Sequence, residues 1–169
     1  MTPLLSLSNR ALFALGALAC AALLGTGYFL QYFQGQDPCP LCLVQRGFYY
    51  AIMGTFLIAT LHAPKAWGGA VYGAAGLLFA AGGAATAARQ VWLQHLPPDQ
   101  VPACGPDLFF MLDNFPLARM IEKLFAGSGQ CAEVKWRFVG LSIAEWSLAW
   151  FTALMALAVW LAVRHLRKP

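Results

Sequence analysis

ALFALGALACAALLGTGYFL, residues 11–30, is a run of twenty residues without a charge. At 1.5 Å of rise per residue, about 20 apolar residues cross the hydrocarbon of a bilayer. The run continues ten residues past Cys20, longer than the apolar stretch of a signal peptide needs. Three similar runs follow: Leu41–Leu61, Ala66–Ala88 and Trp146–Val163. Only Arg46 interrupts them, while Arg10, Arg89 and Arg164 stand at their ends. The rest of the chain agrees. It is 60% hydrophobic and 11% charged, where a water-soluble domain is about 45–50% apolar and about 25% charged. The expected fold is an all-α integral membrane protein, a four-transmembrane-helix bundle forming a single membrane domain over residues 1–169, with loops at about 31–40 and 93–145. Four spans leave no room for a separate soluble catalytic domain. The net charge of +4 is scattered, with no basic run of the kind that binds nucleic acid.

Charge sets the expected orientation. The N-terminus, the link Leu61–Lys65 and the C-terminus carry Arg10, Lys65, Arg164, Arg167 and Lys168, and no carboxylate. All seven carboxylates, Asp37, Asp99, Asp107, Asp113, Glu122, Glu133 and Glu145, fall on the other side. By the positive-inside rule both termini are cytoplasmic.

Inside the third run, Gly69, Gly73, Gly76, Ala80 and Ala84 form rows of small residues, which allow close helix packing. His62, His95 and His165 lie near span ends and read as interfacial. Within the long loop, Leu117, Met120, Ile121, Leu124 and Phe125 repeat at helical spacing between Pro116 and Gly127. Two placements remain open for this short amphipathic helix: in the membrane interface, or packed on the bundle.

Four of the five cysteines fall on the extracytoplasmic side, where disulfides persist. Cys39 and Cys42 form a Cys-Pro-Leu-Cys motif at the entrance to the second span, and Cys104 and Cys131 lie in the long loop. Cys20, in mid-membrane, reads as a small apolar core residue. Spacing leaves three roles open for the four: redox-active pairs, structural disulfides, or a zinc site. A Cys-x-x-Cys closes a very short loop, which makes a weak staple and an exchangeable pair. Arg46 lies one turn beyond Cys42 on the same helix face. A charge within a span is a functional signal, and its partner is an anion, such as the Cys42 thiolate, or a ligand carbonyl. The alternative is that Arg46 snorkels to the headgroups.

The segment Cys39-Pro40-Leu41-Cys42-Leu43-Val44-Gln45-Arg46 resembles the Cys-x-x-Cys-x-x-x-Arg motif of the disulfide bond formation protein B family. A longer stretch, Ser128-Gly129-Gln130-Cys131-Ala132-Glu133-Val134-Lys135-Trp136-Arg137-Phe138-Val139-Gly140-Leu141 with Trp146 after it, resembles the family's run before its fourth helix. Trp92-Leu93-Gln94, leading to a Pro-containing loop and Cys104, also fits. One position departs: some family members carry His where this chain has Gln90. Any role of that His in handling quinone passes here to Gln90, Arg89 or water.

The resemblance implies a protein-dithiol:quinone oxidoreductase of the bacterial inner membrane. A periplasmic DsbA-like thioredoxin-fold partner would reduce the Cys104–Cys131 disulfide, entering at Cys104. Cys131 would pass the electrons to Cys39–Cys42, and Cys42 would face a membrane quinone, ubiquinone or menaquinone, with Arg46 beside it. Regenerating a strong thiol oxidant requires an acceptor of higher potential still. No nucleotide fingerprint or intramembrane histidine pair supplies another, and no metal is implied. Two rivals have distinct signatures. A non-enzymatic tetraspan protein would hold two inert disulfides. A vitamin-K-epoxide-reductase-like enzyme would carry its Cys-x-x-Cys late in the chain, on the last core helix.

Overall fold

A computed structural model describes residues 8–64, 67–102, 110, 113–119, 122 and 129–166. Four long helices dominate: α1 (Asn9–Gln34), α2 (Pro40–His62), α3 (Trp67–Gln94) and, after a short helix α4 (Gly129–Ala132) and a two-stranded hairpin, α5 (Ile143–Leu166). All four are long and apolar enough to cross a membrane, and the protein is an all-α multi-pass membrane protein. A 3-10 turn at Pro98–Gln100 follows α3.

The helix ends follow from local chemistry. Ser8 caps α1, its side chain accepting from the Ala11 N–H at 3.2 Å, and Gly35 closes that helix at φ 62°. Pro40 opens α2 at a position where its missing N–H is no loss. At α5, the Ser142 N–H donates to Glu145 Oε2 at 2.6 Å and the Glu145 N–H to Ser142 Oγ at 3.3 Å. This reciprocal capping box starts α5 ahead of the apolar run that begins at Trp146.

The core is built by contacts between successive helices. α3 packs most extensively on α5 and α2, and α1 packs mainly on α2. Phe13, Phe56 and Phe151 fill the centre. Phe13 meets Phe56 edge-on at 5.5 Å, and Tyr49 stacks on Phe151 at 4.2 Å. The small-residue rows of α3 make this closeness possible. A Cβ on Gly73 would lie 2.9 Å from the Ala162 backbone nitrogen, and one on Gly83 would enter the Phe151 ring.

Two features go beyond the sequence reading. His165 lies at the end of its span, as expected, but is buried on Gly69 and beside Phe13, where the absence of a Cβ on Gly69 leaves room for the imidazole. The chain also contains strands that hydrophobic periodicity does not announce, β1 (Arg137–Phe138) and β2 (Leu141–Ser142), paired antiparallel. Val139 and Gly140 between them both take positive φ, as a two-residue hairpin turn of the type I′ kind requires. Trp146 Nε1 donates to the Phe138 carbonyl at 3.0 Å, and Ser142 Oγ to Gln94 Oε1 at 2.8 Å, tying the hairpin to α5 and the end of α3.

Of the predicted loop helix, Leu117–Arg119 and Glu122 are helical, and Leu117 is 66% exposed. Met120, Ile121, Leu124 and Phe125 lie outside the described residues, as do Cys104, Lys65, Arg167 and Lys168.

Candidate functional site

The site forms where α2 begins. Cys39 is the N-cap of α2 and Cys42 lies in its first turn, so a single turn brings the two sulfurs to 3.2 Å as thiols. Cys131, on α4, joins them from far along the chain. It is 1% exposed and packs with Cys39 (7% exposed), Leu41 and Leu93. Three of the four predicted redox cysteines therefore share one buried cluster. Cys42 alone among these three is partly exposed.

Hydrogen bonding orders the cluster. The Cys39 thiol proton is held well above its ordinary range, first by its hydrogen bond to Cys131, then by that to Cys42, and then by burial. Cys39 is thus the neutral donor of the group. Among the described residues, no group of three or more His, Cys, Asp or Glu side chains has the geometry of a metal site.

The third contributor is α3. Gln90 Nε2 lies 3.2 Å from Cys42 Sγ and 3.4 Å from Cys39 Sγ. Its Oε1 accepts from Gln45 Nε2 at 2.7 Å. Both glutamines are 4% exposed. Of the two side chains named for the missing imidazole's place, Gln90 reaches the sulfurs, while Arg89 stacks its guanidinium 4.1 Å from the Trp92 ring centre. Gln45 was missed as a site residue by sequence reasoning. Its signal was available: a polar residue three positions after Cys42, inside an apolar span, needs a buried partner.

Arg46 takes a different partner from either anticipated one. Its Nη1 donates to Gln31 Oε1 at 2.6 Å and its Nη2 to the Gly27 carbonyl at 3.0 Å, both on α1. The guanidinium lies 4.7 Å from the Tyr28 ring centre. Tyr28 in turn meets the Tyr50 hydroxyl at 3.0 Å. Cys42 and Arg46 thus leave one helix in two directions, the thiol toward α3 and the guanidinium toward α1. Arg46 is half-buried, its guanidinium held by α1. The arrangement can exchange disulfides among three sulfurs, and it sets a cation one turn along α2 from Cys42 and the Tyr50 phenol, paired with that of Tyr28, one turn further on.

Comparison with known proteins agrees with this geometry. The family profile described as "Disulfide bond formation protein DsbB" matches residues 9–161. A "Disulfide bond formation protein B" of Nitrosococcus oceani is 49% identical over 154 residues, 91% of each chain. One of Hahella chejuensis is 47% identical over 163 residues, 96% of this chain and 97% of its own. One of an Azoarcus species is 46% identical over 91% of this chain and 92% of its own.

Proposed function

The chain belongs to the disulfide bond formation protein B family, and on that premise we propose how its cysteines, Arg46 and a membrane quinone act together. It is a multi-pass membrane oxidoreductase that generates disulfides and reoxidises DsbA. The observation that carries the electron path is the seating of Cys131 against Cys39, whose sulfur lies 3.2 Å from that of Cys42.

The path is a series of thiol–disulfide exchanges. A periplasmic DsbA-like partner attacks the Cys104–Cys131 disulfide at Cys104. That bond breaks, a mixed disulfide forms, and the partner's second thiol releases it oxidised. The Cys131 thiolate then attacks Cys39 of the Cys39–Cys42 disulfide. A Cys131–Cys39 bond forms and Cys42 leaves as the thiolate. Cys104 attacks Cys131, restoring the loop disulfide and releasing Cys39. Two electrons have moved from the partner to the Cys39–Cys42 pair, which keeps one proton as the Cys39 thiol beside the Cys42 thiolate, and the second proton goes to water. Buried Cys39, which touches both other sulfurs, suits a central sulfur that is attacked, and the partly exposed Cys42 suits the exit.

A membrane quinone, ubiquinone or menaquinone, supplies a two-electron, two-proton sink when bound. The residues one and two turns along α2 from Cys42, with Tyr28 across from them on α1, fit a planar, lipid-soluble carbonyl compound. Tyr50 is 44% exposed on the outer face of the bundle, Tyr28 lies beside it, and Arg46 offers a fixed cationic donor. Arg46 would hold a carbonyl oxygen and stabilise negative charge there, where low dielectric strengthens the interaction. Its anchors on Gln31 and Gly27 hold the guanidinium in place before the ligand arrives.

Both termini face the cytoplasm and both cysteine pairs face the periplasm of a bacterial inner membrane, in keeping with the lysine and arginine bias. The 169 residues form one membrane domain. The test mixes purified protein with a reduced DsbA-like partner and a soluble quinone. Quinone loss matched by partner oxidation, and abolished by Cys42→Ser, is expected. A well-folded wild-type protein that reduces neither ubiquinone nor menaquinone analogues would refute the quinone assignment.

A further inference from the structure

Two neutral amides buried side by side in an apolar bundle require a reason, since each must find partners there or lose the hydrogen bonds it had in water. Gln45 and Gln90 find each other, at 2.7 Å. The direction of that bond matters. Gln45 Nε2 is the donor and Gln90 Oε1 the acceptor, so the carbonyl end of Gln90 is occupied; that oxygen also lies 3.5 Å from Cys42 Sγ, farther than the amide nitrogen. Its amino end is left facing two sulfurs, Cys42 at 3.2 Å and Cys39 at 3.4 Å. An amide NH₂ carries two hydrogens, one for each sulfur. The flipped amide has almost the same shape but would turn a carbonyl oxygen toward both sulfurs. Packing alone does not choose between the two orientations; a donor on the opposite side does.

We infer that Gln45 is a positioning residue: it fixes the Gln90 amide with its NH₂ toward Cys39 and Cys42 and so stabilises the reduced state of that pair. The inference rests on reading Cys39–Cys42 as a redox pair. The couple concerned is disulfide plus two electrons plus one proton giving the Cys39 thiol and the Cys42 thiolate. A hydrogen bond to an ionised acceptor is stronger than one to a neutral acceptor, so the amide favours the thiolate side. A more easily reduced pair accepts electrons from Cys131 more readily. Gln45 touches neither sulfur in any described contact; its effect passes through Gln90.

The experiment measures the equilibrium between the Cys39–Cys42 dithiol and disulfide in the full-length protein. Samples in detergent are equilibrated in glutathione buffers of graded ratio, alkylated, and mapped by mass spectrometry. Gln45→Met removes the donor at similar length, and Gln90→Met removes the amide itself. Each is expected to shift the constant about tenfold toward the disulfide, or about 30 mV for two electrons. The double variant should shift no further than Gln90→Met alone, because Gln45 acts only through that amide. Gln45→Glu keeps the shape but offers an acceptor, which turns the Gln90 amide over and shifts the constant the same way. An unshifted potential in both Gln45 variants, or additive shifts in the double variant, would overturn the assignment. A wild-type pair that stays a disulfide even in the most reducing buffer would instead overturn the redox reading beneath it.

Discussion

Arg46 reaches across from α2 to α1 and donates to Gln31 Oε1 at 2.6 Å. A cation one turn below the redox pair is thereby held by a side chain that belongs to a different helix. The bond is the more specific because Nη2 of the same guanidinium engages the Gly27 carbonyl at 3.0 Å. A planar fork can make both bonds at once, and a lysine ammonium cannot reproduce that geometry.

Arg46→Lys therefore keeps the charge but loses its placement. Quinone KM should rise about tenfold, the equivalent of about 1.4 kcal/mol, while exchange with the reduced partner is unchanged. Gln31→Leu should move KM in the same direction by less, since polar contacts between membrane helices average about 0.6 kcal/mol. Steady-state quinone titrations of both variants give the comparison. An unchanged KM in Arg46→Lys would place the quinone elsewhere.

Among the cysteines of the central cluster, exposure and proton affinity predict an order of alkylation. In the reduced protein, Cys42 should react with a maleimide at least about tenfold faster than Cys39 or Cys131, because only the thiolate reacts and the other two are buried. Raising the pH to 9 should not let Cys39 catch up. Its thiol holds its proton above the ordinary range, so its thiolate appears only at still higher pH. Peptide mapping after timed quenching reads the order. Cys39 reacting first would contradict its place as the buried donor.

The α3–α5 contact predicts a sharp contrast between glycines. Gly73→Ala would put a methyl 2.9 Å from the Ala162 backbone nitrogen, and neither helix backbone can yield as a side chain would. A loss of about 1–3 kcal/mol is expected, the usual range for overpacking. Gly25→Ala meets nothing within 4 Å and should be neutral or slightly stabilising. Thermal unfolding in detergent compares the two, and equal stabilities would contradict the close approach.

Ser142 has two tasks, capping α5 and bonding Gln94 at the end of α3. Ser142→Ala should cost about 0.5–2 kcal/mol through the cap. Ser142→Asp can still cap, and should recover most of that stability if the cap dominates over the Gln94 bond. Denaturation midpoints of the two variants separate these contributions.

Much of the fold was legible because the membrane imposes a simple rule. Backbone groups in hydrocarbon must bond within their own helix, so a long uncharged run such as residues 11–30 has one structural outcome. The capping box at Ser142 and Glu145 was not read from the sequence, although Ser-x-x-Glu just before an apolar run is its signature. The hairpin at Val139–Gly140 was harder to find. Its strands are two residues each, too short to show an alternation. The burial of His165 depended on Gly69, nearly a hundred residues earlier in the chain, and no local pattern links them.

For the site the division is similar. Local spacing places Cys39, Cys42 and Arg46 on successive turns, because a helix has a fixed period. It also marks Cys131 within a motif dense enough to identify the family. Which sulfur meets which is a matter of long-range packing. Cys131 comes to Cys39 because α4 is seated between the ends of α2 and α3. Arg46 turns to Gln31, and Cys42 to Gln90, because α1 and α3 flank α2 on opposite sides. Residue type and period set what each side chain can do. Its partner depends on which helix stands beside it, and that is settled by small residues, aromatic rings and buried amides fitting together in three dimensions.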